Sequence, residues 1–94
     1  MRKRGKIDAN QTAVVKALRQ IGASVWSIAS QGKGCPDLLV GMRGKNTLLE
    51  VKDGSKPPSK RALTPDELRF SNNWRGQYAV VYSAEEAIQL VETI

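Results

Sequence analysis

Asp37, Glu50 and Lys52 are the residues of this 94-residue chain whose types and spacing could do chemistry together. Asp37 follows Pro36 and opens the apolar run Asp37–Met42, Glu50 and Lys52 close a second run, Asn46–Lys52, and Arg43-Gly44-Lys45 separates the two. Glycine in so short a connection predicts a hairpin. Paired antiparallel about that turn, the runs bring Asp37 to within a residue or two of the position opposite Glu50. Side chains alternate along a strand, so Glu50 and Lys52 share one face while Leu49 and Val51 share the other. Carboxylate oxygens are the ligands that magnesium or manganese prefers, and a metal used on phosphates keeps waters and only one or two carboxylates. Two acids and an ammonium on one spot therefore read as phosphodiester hydrolysis. A solvated edge strand with a turn aspartate would give the same letters, but Leu48-Leu49 implies a strand buried on both faces, whose terminal charges are then a site rather than ordinary surface.

The elements that must position these residues follow from pattern. Asp8 can cap a first helix, in which Val14, Ala17, Leu18 and Ile21 form a helical stripe that Gly22 stops. Val25–Ala29 reads as the first strand. The Gly32-Lys33-Gly34 loop lacks the G-K-[ST] order of a nucleotide-binding loop and is assigned to turning and to phosphate contact. Residues 53–61 are a loop rich in glycine, proline and cations, whose Lys56, Lys60 and Arg61 leave the strand just after Lys52 and are candidates for DNA contact together with Lys33. Thr64-Pro65-Asp66-Glu67 is a capping box with proline at the first helical position, and Phe70 and Trp74 then face one way. Tyr78–Tyr82 reads as the last strand, and Ser83-Ala84-Glu85-Glu86 as a second capping box opening a helix buried along Ala84, Ala87, Ile88 and Val91. The order is αβββαβα, an α/β fold with a mixed central sheet flanked by helices and the central hairpin carrying the chemistry.

Composition narrows the function classes. The length allows one domain, 1–94, burying about two-thirds of its unfolded surface, with 1–7 expected to form a mobile basic arm. One cysteine and no histidine exclude a disulfide framework, His-ligated zinc, histidine bases and Ser-His-Asp or Cys-His nucleophiles. No apolar run approaches the roughly 20 residues that span a bilayer, and the N-terminus lacks a secretory core, so a cytoplasmic, non-membrane protein is expected. The net charge of +6 is uneven: residues 1–61 hold thirteen Lys/Arg against four acids, and residues 62–94 two against five. The candidate site lies in the basic portion, as a polyanion-binding surface requires.

Gly34-Cys35-Pro36-Asp37-Leu38-Leu39-Val40-Gly41, then Leu48-Leu49-Glu50-Val51-Lys52, then Leu63-Thr64-Pro65 resemble the VRR-NUC family, a branch of the PD-(D/E)XK nucleases. The resemblance continues through Trp74-Arg75-Gly76 and Val80-Val81 to Ser83–Ala87, covering nearly the whole chain from Asp8. It implies a restriction-endonuclease-like core and a metal-dependent endonuclease that hydrolyses branched DNA such as a four-way (Holliday) junction. It also implies a homodimer and similarity to free-standing phage-encoded members in a bacterial host. On this reading Asp37, Glu50 and the Val51 carbonyl hold one magnesium or manganese ion, Lys52 orients the nucleophile or offsets developing charge, and products carry a 5′-phosphate and a 3′-hydroxyl.

Two positions depart from the family pattern. Where the family's first helix often carries a glutamate, this chain has Asn10-Gln11, so Gln11 and Asp8 are accessory candidates beside a capping role. Glu67 stands where the family commonly has glutamine, and a capping function there competes with a site role. The competing readings are a non-catalytic DNA-binding module that retains the nuclease fold and a structural or interaction domain.

Overall fold

The computed structural model describes residues 9–94, so Asp8 and the basic arm 1–7 lie outside the described residues. The elements are α1 (Ala9–Gln20), β1 (Ser24–Ser27), a 3-10 turn (Ala29–Gln31), β2 (Leu38–Met42), β3 (Lys45–Val51), a second 3-10 turn (Pro58–Lys60), α2 (Pro65–Asn73), β4 (Tyr78–Val81) and α3 (Ala84–Thr93). The expected order stands, and the sheet runs β1-β2-β3-β4. It is mixed as expected, with β1, β2 and β3 antiparallel and β3 and β4 parallel. The β3-to-β4 crossover that a parallel pair demands is supplied by α2.

The helix α1 ends as its sequence dictates: Gly22 takes φ 98, and the Ala23 N–H reaches back to the Leu18 carbonyl at 3.0 Å. The hairpin is tighter than the three-residue connection expected. Met42 pairs with Lys45, leaving only Arg43 and Gly44 in the turn, both at positive φ, the conformation that matches strand twist across two residues. β1 is also shorter than expected, stopping at Ser27; Ile28 keeps one bond to the Asp37 carbonyl at 2.9 Å before Ala29–Gln31 turns away.

Alternation sorts the sheet into two faces. Val25, Leu38, Val40, Leu49, Val51 and Val81 are buried with Val14 and Leu18 of α1 and Ala87 and Val91 of α3, and α1 packs on α3, β1 and β3. The opposite face carries Leu48, Glu50 and Tyr78, and α2 reaches it through Phe70, whose ring lies 6.1 Å from that of Tyr78. Both capping residues of the sequence are used, but differently. Thr64 and Glu67 form a full reciprocal box on α2. On α3 the Ser83 side chain accepts from the Glu86 N–H, yet Glu86 reaches past Ser83 to the Tyr82 N–H at 2.9 Å, so the second box is only half formed. Among the described residues no helix is long and apolar enough to cross a membrane.

Candidate active site

The hairpin register fixes the geometry. Leu38 stands opposite Leu49, so one further step sets Asp37 across from Glu50, and parity puts both carboxyls on the α2 side of the sheet. Asp37 is held by its neighbours in three ways. Pro36 is buried, the Asp37 carbonyl accepts from Ile28, and its Oδ2 accepts from the Val51 N–H at 2.8 Å. Because the Lys52 N–H goes to Val81 on the β4 side, alternation turns both the N–H and the C=O of Val51 toward the β2 side, where Asp37 sits.

Glu50 is 3% exposed, and its Oε1 is buried with no hydrogen-bond partner among the described residues. Burial, then the charges of Asp37 and Glu67, push its carboxyl up to about 8. Burial likewise holds Asp37 above the usual carboxylate range, against the Val51 N–H that favours its charged form. A native fold rarely leaves a buried carboxylate oxygen unsatisfied. An oxygen left so beside a second carboxyl, both reluctant to ionise alone, is the arrangement that a cation would relieve.

Lys52 is the third member. Its Nζ lies 2.8 Å from Glu67 Oε1 and 3.6 Å from Glu50 Oε2. Burial pulls the ammonium down, but the bond to Glu67 and the charges of Glu67, Glu50 and Asp37 more than offset this, and the net shift is upward. Glu67 does not choose between its two expected roles. The same Oε1 accepts from the Thr64 N–H at 2.9 Å and from Lys52, and these bonds hold its carboxyl below the usual range despite burial. The helix cap is therefore also the anchor of the lysine.

These groups line a cleft of about 290 Å³ together with Gln11, Val51, Asp53, Lys56 and Lys60. Of the remaining candidates, Arg61 lies over the Tyr82 ring at 5.6 Å and borders a separate hollow. Lys33 lines a different cleft against α2. Asn10 is not among the candidates drawn from sequence, yet its Nδ2 donates to the Lys52 carbonyl at 2.7 Å and the Tyr82 carbonyl at 3.3 Å, tying α1 to the ends of β3 and β4. Its place in the helix-one stretch aligned with the site was the available signal. Among the described residues no three His, Cys, Asp or Glu side chains come together as a metal group. A cation here would take the two carboxyls and the Val51 carbonyl, a small set of hard oxygen donors that leaves room for water and phosphate.

Among solved structures, one described as a "VRR_NUC domain" matches with a TM-score of 0.66 and 29% sequence identity, covering 88% of this chain and 90% of that chain. No family model matches the chain, and no curated protein does.

Proposed function

We propose that this chain, whose fold is similar to that of a VRR-NUC domain, is a metal-dependent endonuclease that hydrolyses phosphodiester bonds in branched DNA. The observation that carries the reading is Glu50: a buried carboxyl set against that of Asp37, one of whose oxygens meets no donor group among the described residues, and 3.6 Å from a lysine that another acid holds in place. A structural ion pair would satisfy both oxygens, and a solvated face would not bury them.

Asp37, Glu50 and the Val51 carbonyl would hold magnesium or manganese. The ion, when bound, supplies Lewis acidity toward a phosphoryl oxygen and a lowered pKa for water. The chain's own residues do the rest. Asp37 and Glu50 must give up any proton they retain before they can ligate, which ties activity to rising pH. Lys52 keeps its proton and so acts as a positive charge rather than a base, offsetting charge that develops on the phosphoryl oxygens. Glu67 fixes the direction of that charge from the N-terminus of α2. Lys56 and Lys60 border the same cleft and would take phosphates flanking the scissile one.

Branched DNA as the preferred substrate follows from the family resemblance and from symmetry: a four-way junction is two-fold, and a C₂ homodimer would present two such clefts to opposed strands. Product ends test the chemistry. A 5′-phosphate and a 3′-hydroxyl are expected on both fragments, and a 3′-phosphate would contradict hydrolysis by this route. Sedimentation of the protein with and without junction tests the dimer, which a strictly monomeric complex would exclude.

A further inference from the structure

A second cleft, of about 540 Å³, lies against the other flank of α2, lined by Lys33, Asp66, Arg69, Phe70, Asn73 and Trp74. None of these residues belongs to the carboxylate cleft. Its aromatic wall is preformed: the Phe70 and Trp74 rings stack at 5.4 Å with only 14° between their planes, and Trp74 remains 45% exposed. Gly76 provides the indole's seat, since a Cβ there would stand 2.9 Å from Trp74 Nε1. The charges in this cleft do not cancel. Asp66 is tied to Arg69 at 2.7 Å, which leaves Lys33 as the cation in excess, carried on a backbone with φ 56.

The two clefts share no lining residue, but the chain segments that form them are continuous. The Gly32-Lys33-Gly34 loop abuts the start of α2, because a Cβ on Gly34 would overlap the Asp66 carbonyl. The same loop leads through Pro36 into Asp37, and the residue after Asp66 is Glu67, which anchors Lys52. Asp37 and Glu67 of the carboxylate cleft thus stand three residues and one residue along the chain from Gly34 and Asp66, where the loop meets α2.

We propose that the Phe70–Trp74 cleft receives an unpaired nucleobase of the DNA strand beside the scissile phosphate, stacked on Trp74, with Lys33 on the adjoining phosphate. A half-exposed indole with Lys33, a cation unpaired among the described residues, lining the same cleft has the chemistry by which proteins hold single-stranded nucleotides. Such stacking tolerates any base, since each has a π-face. An occupant of this kind would also favour branched over fully paired DNA, because a branch point supplies an unstacked base at little cost and a continuous duplex does not. This inference rests on the reading of the chain as a DNA nuclease.

The test uses the full chain in EDTA, so that binding is read without cleavage. With Trp26→Phe as background, Trp74 is the sole tryptophan and its fluorescence reports the cleft. Oligothymidylate should quench it, and Trp74→Ala should weaken oligothymidylate binding by roughly tenfold, while Trp74→Phe, which keeps an aromatic face, restores most of the affinity. Lys33→Ala should weaken binding and lower its salt dependence without removing the quench. Binding of a blunt, fully paired duplex should change little in either Trp74 variant. Equal losses for duplex and oligothymidylate, or no loss in Trp74→Ala, would overturn the proposal. A change of oligomeric state in that variant with unaltered oligonucleotide binding would overturn it in favour of self-association. Cleavage in magnesium on the same proteins separates the two readings: Glu50-dependent cutting with a silent Trp74 retains the nuclease and removes the base site. Trp74-dependent binding without cutting in any metal does the reverse.

Discussion

Glu50 is held in a position that opposes folding. Its carboxyl is raised from 4.5 to about 8 in the folded chain, so between those values the native state keeps a proton that the unfolded chain has lost. Stability then falls as pH rises through that window, being fully present below about 4.5 and lost above about 8. Glu50→Gln removes the titration. Its melting temperature without metal should exceed that of the parent at pH 8 by several degrees, on the order of 1–2 kcal/mol, and the advantage should vanish near pH 4. A parent that is the more stable of the two at pH 8 would contradict the burial and charge argument. Magnesium should stabilise the parent and leave Glu50→Gln nearly unmoved. The Asp37, Glu50 and Lys52 trio was legible because strand alternation and a short glycine turn bring them together by local rules alone. The second bond of Glu67 and the carbonyl contacts of Asn10 were not. They join residues 15, 42 and 72 positions apart, and no local pattern encodes such a distance.

At the level of elements, the site depends on three ends meeting: the start of β2, the end of β3 and the N-terminus of α2. Asn10 secures the end of β3 from α1, and Asn10→Ala would leave two strand-end carbonyls without that donor. A loss of about 1–2 kcal/mol is expected in urea unfolding, with cleavage reduced in proportion to displacement of Lys52. Gly34 secures the start of α2 against the loop before Asp37. Gly34→Ala faces both a positive φ of 79 and an overlap with the Asp66 carbonyl, so it should cost about 2 kcal/mol or more and depress turnover; an unchanged melting temperature would contradict the close approach. Element order and type were readable from periodicity, caps and glycine turns, whereas ends shifted by a residue or two. The half-formed box on α3 shows why. Ser83 and Glu86 have the right spacing, but the exposed Tyr82 N–H competes for the same carboxylate.

For the whole molecule, charge and shape act together. Among the described residues, cations of the basic portion fall in separate places: Lys56 and Lys60 at the carboxylate cleft, Lys33 at the aromatic one, and Arg61 over Tyr82. Replacing both Lys56 and Lys60 by alanine should lower the slope of log affinity against log salt by about 1–2 for duplex or junction. The same slope in parent and variant would remove these lysines from the DNA-binding surface. Sequence could count these charges but could not distribute them, since loop residues 53–61 carry no periodicity that assigns a direction.

The most direct measurement is cleavage of an end-labelled four-way junction beside a linear duplex of matched sequence, in magnesium, manganese or EDTA, with Glu50→Gln as control. Cuts in the junction that require a divalent metal and disappear in Glu50→Gln are the predicted result. Junction binding with no cut in either metal, or cutting that survives in Glu50→Gln, would contradict a nuclease centred on Asp37, Glu50 and Lys52.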